Sequence, residues 1–307
     1  MEHRKSRMGP TWAPLVIGMG YAVASFLPRG LSPDQVYFQS PFMFTVFAGL
    51  TIAYACRPVM ARIPWSRGAA LTVIVFLLTG VGPLGDWLTA ALLKRMDLVS
   101  FPLNLPHSPM GIILGALTGG ALMTWLYRLE PGEITLAELM KRVRHGAGGV
   151  SVGRLALLTA VAAAIPFLTA WGDALWLEQG TGMYTGLVHP NAWLRLEGVL
   201  GREGGLAGWV GGGVFLLALW FRGALLVLPL VPVALALRGR WYHLTVVHGL
   251  LIFVLAEFAP LMVDQPFPSG GWLIARTLLG LGRSFAIGAA VTAGIRMKLL
   301  PPPPHKQ

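Results

Sequence analysis

The stretch AGWVGGGVFLLALWFRGALLVLPLVPVALAL, residues 207–237, decides how this chain is threaded. It contains 31 residues, and its one charged residue, Arg222, lies at the middle. A single helix of this length would be ~46 Å long, which exceeds the ~30 Å hydrocarbon core of a bilayer. The stretch therefore crosses a membrane either once, as a long tilted or broken helix, or twice, as two short helices.

The composition of the whole chain is that of a membrane protein. Of its 307 residues, 55% are hydrophobic and 12% are charged, and the mean hydropathy is +0.64. The charges are concentrated in short patches between long uncharged runs, whereas a soluble domain covers its core with charged side chains. The net charge of +11 has no clustered basic face or groove-reading element with it, which argues against a nucleic-acid partner. The single cysteine, Cys56, excludes an internal disulfide and a CxxC metal or redox site.

Apolar runs of about the length that spans a bilayer occur in eight places. They are Thr11–Pro28, Pro41–Met60, Gly68–Leu92, Met110–Tyr127, Ser151–Trp176, Ala207–Leu237, Tyr242–Val263 and Trp272–Ile295. We therefore expect an all-α fold, a polytopic transmembrane helix bundle of about eight spans, which forms a single integral membrane domain over residues 1–307.

The basic residues of the loops favour one crossing by residues 207–237. With eight spans and a cytoplasmic amino terminus, 16 of the 24 Lys and Arg residues lie in inside segments, 5 lie outside and 3 lie within spans. This is a clear positive-inside bias, and a second crossing would place the last two basic clusters outside. We therefore expect both termini in the cytoplasm and Arg222 at mid-span, in a helix that Pro229 and Pro232 bend.

Four further segments carry expectations of their own. The first run follows HRKSR and resembles a secretory signal with small residues at 22–24, but the charge pattern suits a retained span better. Residues 130–145 predict a short interfacial helix on the cytoplasmic side. Residues 173–206 form the longest outside loop, with aromatic residues that suit the membrane interface. The proline-rich tail, residues 300–307, ends the last helix.

Small residues four apart predict which spans lie inside the bundle. Gly111, Gly115 and Gly119 line one face of the fourth span. Gly280, Ser284 and Gly288 line one face of the eighth span in the same way. Such faces let a neighbouring backbone approach closely, so both helices are expected to contact protein on that side.

Five ionisable residues form the candidate ligand-binding set: Arg222, Glu257, Arg276, Arg283 and Asp86. Measured from the outer boundary, Arg276 lies ~6 Å deep, Glu257 ~10 Å and Arg283 ~16 Å, and Asp86 lies at a similar depth. Glu257 is therefore placed to be bracketed by the two arginines, which lie on one face of the last helix. Charges inside a bilayer cost a few kcal/mol each, so they face a partner or a water-filled cavity.

Two interpretations of these charges remain open at this point. One is a buried ion-pair network that fixes how the helices fit together. The other is a site for a small anion, because the planar fork of a guanidinium suits a carboxylate or phosphate. Arg222 would be the deepest member of such a path, or would bond to backbone carbonyls freed by the break near Pro229. His248 lies nine residues before Glu257, on the opposite side of an α-helix, and is expected to be a hydrogen-bonded core histidine.

Three classes of function agree with these observations. The first is a transporter or small-anion-binding protein, and the second is a non-catalytic subunit or scaffold that binds a partner membrane subunit. The third is a membrane enzyme for an anionic or lipid-linked substrate, which is less favoured because no known catalytic pattern accompanies the single buried glutamate. We expect no catalytic residues, metal or cofactor, and a bacterial or archaeal inner membrane as the location.

Overall fold

The computed structural model describes residues 10–29, 41–61, 65–82, 109–127, 134–138, 155–165, 220–237, 240–263 and 270–296, with the single residues 84, 141, 153 and 217. These residues are almost entirely helical, and one isolated bridge joins Trp65 to Ile134. Each of the eight predicted apolar runs contains a helix. The helices are α1 (Ala13–Phe26), α2 (Pro41–Met60), α3 (Arg67–Gly80), α4 (Pro109–Leu126), α5 (Leu155–Ile165), α6 (Trp220–Leu235), α7 (Trp241–Ile252) and α8 (Gly270–Arg296).

Within the part of the chain that the structure describes, four stretches are long and apolar enough to cross a membrane. They are Pro41–Met60, Pro109–Leu126, Trp241–Phe258 and Thr277–Ile295. The helices α1, α3, α5 and α6 are apolar but shorter. The prediction of a helical membrane protein is therefore confirmed.

Helix α3 is shorter than its predicted run, which extended to Leu92. It ends at Gly80, and Val81 and Gly82 form a turn. The next residue in the sequence is Pro83, which has no N–H to donate to the carbonyl of Thr79 and whose ring clashes with a continuing helix. The helix therefore stops here and leaves its last carbonyls without helical partners.

Helices α1, α2 and α4 pack closely because glycines remove side chains from their contacts. A Cβ atom built on Gly18 of α1 would lie 2.8 Å from the carbonyl oxygen of Val46 in α2. On α4, a Cβ atom on Gly115 would overlap the hydroxyl of Ser25, and one on Gly119 would lie 3.2 Å from the ring of Tyr21. The prediction that the small-residue face of α4 contacts protein is confirmed.

Helices α7 and α8 form the second close pair. A Cβ atom on Gly288 would lie 2.6 Å from the backbone nitrogen of Gly249, so the two backbones touch. Ser284 is fully buried on the same face of α8. A Cβ atom on Gly280 would contact Glu257 at 3.2 Å. The predicted protein-facing side of the eighth span is therefore also confirmed.

Helix α6 is broken where the prolines predicted a bend. Leu228 and Pro229 form a turn, after which the helix Leu230–Ala236 continues. Pro232 is the third residue of this second part, where its missing N–H removes no helical hydrogen bond. The ring of Pro229 lies 3.0 Å from a Cβ atom built on Gly80, so the break in α6 packs against the end of α3.

The segment predicted as an interfacial helix is described in part. Residues 136–138 and 141 are helical, and the hydroxyl of Thr135 accepts from the backbone N–H of Glu138 at 3.2 Å, as an N-cap does. The N–H of Ser66 donates to the carbonyl of Ile134 at 2.9 Å, which ties this segment to the start of α3. The outside loop, residues 173–206, and the tail, residues 300–307, lie outside the described residues.

The contact of α7 with α8 makes a testable prediction. Gly288→Ala should destabilise the protein by about 1–3 kcal/mol, because the added methyl group meets backbone. Gly282→Ala is the matched control in the same helix, since nothing lies within 4 Å of its added Cβ, and the gain in helix propensity should leave stability equal or slightly raised. Thermal unfolding of the two variants in detergent measures the difference. Equal midpoints would contradict this packing.

Candidate functional site

A π-helical segment, Phe253–Phe258, continues α7 and carries Glu257. Its hydrogen bonds join residues five apart rather than four, so it winds less per residue than an α-helix. Nine residues of α-helix turn by ~900°, which would put His248 and Glu257 on opposite sides. In the structure both side chains contact α8. The prediction of opposite sides was wrong, because the π segment changes the direction in which Glu257 points.

Glu257 and Arg283 form a buried ion pair between the π segment and α8. The Nη2 atom of Arg283 donates to Oε2 of Glu257 at 2.7 Å, and the side chains are 7% and 19% exposed, respectively. Gly280 lies one turn before Arg283 and leaves the space that the Glu257 side chain occupies. A short, charge-assisted bond in so little water is strong, and breaking it would leave a charge buried.

The other two predicted members of this cluster are described less fully. Arg276 lies in α8, seven residues before Arg283, and its side chain lies outside the described residues. Asp86 also lies outside them. Glu257 was predicted to lie between Arg276 and Arg283. The structure describes its contact with Arg283, and its contact with Arg276 stays a prediction.

Arg222 binds the end of helix α3. Its Nη1 atom donates to the carbonyl of Gly80 at 3.0 Å, and Nη2 donates to the carbonyl of Val81 at 3.2 Å. These carbonyls are freed by the turn before Pro83, and they carry the negative end of the helix dipole. The prediction that Arg222 bonds to backbone carbonyls without helical partners is confirmed. These two carbonyls belong to the end of α3, whereas the sequence pointed to carbonyls freed by the break in α6.

Arg222 and the ion pair lie on two sides of the same turn. Arg222 holds Val81, and a Cβ atom on the next residue, Gly82, would lie 3.8 Å from the carbonyl of Leu255 in the π segment. The end of α3 thus connects the guanidinium of α6 to the segment that carries Glu257. The structure brings Glu257 and Arg283 into direct contact, and it joins Arg222 to them through backbone.

His248 is fully buried in α7 and faces α8. Its Nδ1 atom lies 2.9 Å from the hydroxyl oxygen of Thr292, and that hydroxyl donates its proton to the carbonyl of Gly288 at 2.8 Å. The prediction of a hydrogen-bonded core histidine is confirmed. Among the described residues, no group of three or more His, Cys, Asp or Glu side chains is placed to hold a metal ion.

An open groove of about 420 Å³ lies between α2 and the α7 helix with its π segment. Tyr54 and Phe253 line it with other, mostly apolar side chains. This lining suits hydrocarbon and offers no cationic group to an anion. Arg283 lies on the other side of the π segment, which faces α8.

Sequence reasoning missed three partners in this region. Thr292 was not singled out, although it follows Gly280, Ser284 and Gly288 at the same spacing of four and so belongs to the same face. The carbonyls of Gly80 and Val81 were missed because α3 was expected to continue beyond them. The Gly82-Pro83 pair in the sequence was the signal that could have found this helix end.

Comparisons with models of known families, with characterised proteins and with solved structures find no match for this chain. Its function therefore has to be argued from the geometry of these buried polar groups.

Proposed function

We propose that this protein is a membrane transporter or receptor for a small anion, and that Arg283 is the group that binds the anion. The observation that carries the proposal is the contact of 2.7 Å between Arg283 and Glu257. The Glu257 carboxylate already occupies a place on the guanidinium that an external carboxylate or phosphate would take. An anion binds there by displacing Glu257, which moves away with the π segment.

The position of Glu257 in a π segment supports this exchange. Such segments are rare and are often found at functional sites. The Glu257 side chain packs against Gly280, which has no side chain of its own to fill the place that Glu257 would vacate. Arg222, held at the end of α3, is the deeper cationic group of the path.

A structural role is the second candidate. It is favoured by the direct contact of Glu257 with Arg283, in which each charge already has its counter-ion. In a non-catalytic subunit or scaffold, the pair would lock the π segment to α8 and need no external ligand. An enzyme using Glu257 as acid or base is a weaker third candidate, because it rests on one carboxylate. The dependence of the thermal midpoint on the anion in the buffer separates the anion-binding candidate from the scaffold candidate.

We also propose eight spans, with both termini in the cytoplasm of a bacterial or archaeal cell. The eight apolar helices and the excess of basic residues in alternate loops support this topology. In this arrangement the Glu257–Arg283 pair lies in the outer half of the membrane, where a site facing the outside would receive its ligand, and Arg222 lies at mid-span.

The topology predicts which loops are accessible from each side. Cys56 is buried and is the only cysteine, so a Cys56→Ser chain provides a background for single cysteines. In intact cells, a membrane-impermeant thiol reagent should label Val188→Cys in the outside loop and leave His145→Cys unlabelled until the membrane is opened. The reverse pattern, or labelling of both from one side, would rule out the proposed topology.

If an anion binds at Arg283, a small anion in the buffer should restore the thermal stability that the Glu257→Gln variant loses. The variant leaves the Arg283 guanidinium without the Glu257 carboxylate, and a guanidinium cannot lose its proton. Its thermal midpoint should fall in a buffer of bulky anions and recover in chloride, acetate or phosphate at equal ionic strength. A ligand at 100 times its Kd stabilises the folded state by ~2.7 kcal/mol.

The double variant Glu257→Gln/Arg283→Gln is the matched control for the rescue. It lacks both charges, so its midpoint should not depend on which anion is present. If the single and the double variant respond equally to every salt, the anion proposal fails and the scaffold candidate is retained. In the natural chain the same anions should raise the midpoint less, because they must first displace Glu257.

A further inference from the structure

The Glu257–Arg283 pair has no net charge, and it lies where a net charge is costly. The two side chains are 19% and 7% exposed, respectively. Glu257 belongs to Trp241–Phe258, a stretch long and apolar enough to cross a membrane. An ionised group at hydrocarbon depth needs a counter-ion or water. The pair meets this need within itself, because one carboxylate matches one guanidinium.

Displacing Glu257 from Arg283 would disturb this balance. An anion that takes its place, as proposed above, adds a negative charge to the site. If Glu257 also kept its charge, two anionic groups would share one guanidinium, and the displaced carboxylate would lose the N–H that Arg283 donates to it at 2.7 Å. Buried carboxylates without a cation can hold a proton at neutral pH. A proton on Glu257 therefore restores the balance, since a guanidinium stays charged.

The elements packed against Glu257 show which charged groups could replace Arg283 as its partner. Helix α8 contributes Arg283 itself, and the side chain of Arg276 lies outside the described residues, as does Asp86. Across the groove, Tyr54 is the ionisable member of the described lining from α2, and a tyrosine carries no positive charge in either form. The five-residue helix that follows the π segment has no ionisable side chain.

Two other ionisable groups near the π segment have partners of their own. His248 in α7 lies nine residues before Glu257, and its Nδ1 atom is 2.9 Å from the hydroxyl oxygen of Thr292. Arg222 donates to two carbonyls at the end of α3. In the described part of the chain, the cation that contacts Glu257 is therefore Arg283. When an anion takes that cation, a proton from solution is the counter-charge left for Glu257.

We propose that the site binds an anion together with one proton, and that Glu257 is the group that takes up the proton. This inference rests on the proposed function. In the exchange, the hydrogen bond from Arg283 to Glu257 breaks, and a hydrogen bond from Arg283 to the anion forms. A proton from the solution forms an O–H bond with the Glu257 carboxylate, and no other covalent bond changes.

Charge neutrality also selects the ligand. With a monovalent anion and one proton, the loaded site has the net charge of the empty site, whereas a divalent anion would leave a surplus negative charge at hydrocarbon depth. The preferred class is therefore the small monovalent anions, such as chloride or a short monocarboxylate. If the protein is a transporter, the anion and the proton cross together. A pH difference across the membrane then drives uptake, and the membrane potential does not act on the neutral pair.

The pH dependence of anion affinity tests the coupling. Chloride and acetate are the probes, because both stay ionised above about pH 6. Their Kd values for the full chain in detergent follow from the rise of the thermal midpoint with anion concentration at each pH. Between about pH 8 and pH 6, the Kd should fall by up to about tenfold per pH unit, the limit for one proton taken up with each anion. In a weakly buffered solution, a pH indicator should report the same uptake directly.

Three variants identify the group that takes up the proton. Glu257→Gln has no carboxylate to titrate, so the anions should bind without proton uptake and with a Kd that does not change with pH. Glu257→Asp keeps a carboxylate and should keep the uptake, which provides a second test if the glutamine variant does not fold. His248→Asn is the matched control for the other titratable group of this helix. Its amide can still donate to Thr292, and it should keep the pH dependence of the natural chain.

The outcomes separate this inference from the proposed function. Anion binding to the natural chain without proton uptake, or an equal pH dependence in Glu257→Gln, would overturn the coupling and leave the anion site at Arg283 standing. Loss of the pH dependence in His248→Asn would assign the proton to His248 and would also overturn it. If neither probe binds to the natural chain or to Glu257→Gln, the coupling and the proposed function fail together.

Discussion

The structure depends on the inability of hydrocarbon to solvate a charge. Arg283 meets this constraint through the Glu257 carboxylate, and Arg222 meets it through the carbonyls at the end of α3. Both contacts need particular backbone. The first requires a π segment and a glycine at position 280, and the second requires a helix that ends at Gly80. The least regular parts of the bundle are therefore the parts that accommodate its charged groups.

Helix positions and packing faces could be predicted because each depends on local composition. A run of about twenty apolar residues identifies a span whatever surrounds it, and glycines four apart identify a face that a neighbour approaches. The pairing of Glu257 with Arg283 followed from matching depths on adjacent antiparallel helices. The partners of Arg222 could not be predicted in the same way, because they lie 142 and 141 positions away in the chain.

The π segment is a feature that helical periodicity in the sequence does not predict. Counting at 3.6 residues per turn placed His248 and Glu257 on opposite sides of one helix, and the structure has both against α8. Neither residue is unusual in its own sequence context. The change from four-residue to five-residue hydrogen bonds places Glu257 against Arg283 of α8. Asp86 and the side chain of Arg276 lie outside the described residues, so their part in the site stays a prediction.

The central claim is that Glu257 and Arg283 stabilise the fold through each other. A double-mutant cycle with Glu257→Gln, Arg283→Gln and the double variant measures this directly, as free energies of unfolding in one detergent. We expect a coupling of about 0.5–3 kcal/mol. Glu257→Gln should cost more than Arg283→Gln, because the Glu257 carboxylate can take up a proton when Arg283 is replaced, whereas the Arg283 guanidinium stays charged when Glu257 is replaced. Single effects that add to within about 0.5 kcal/mol would contradict the claim.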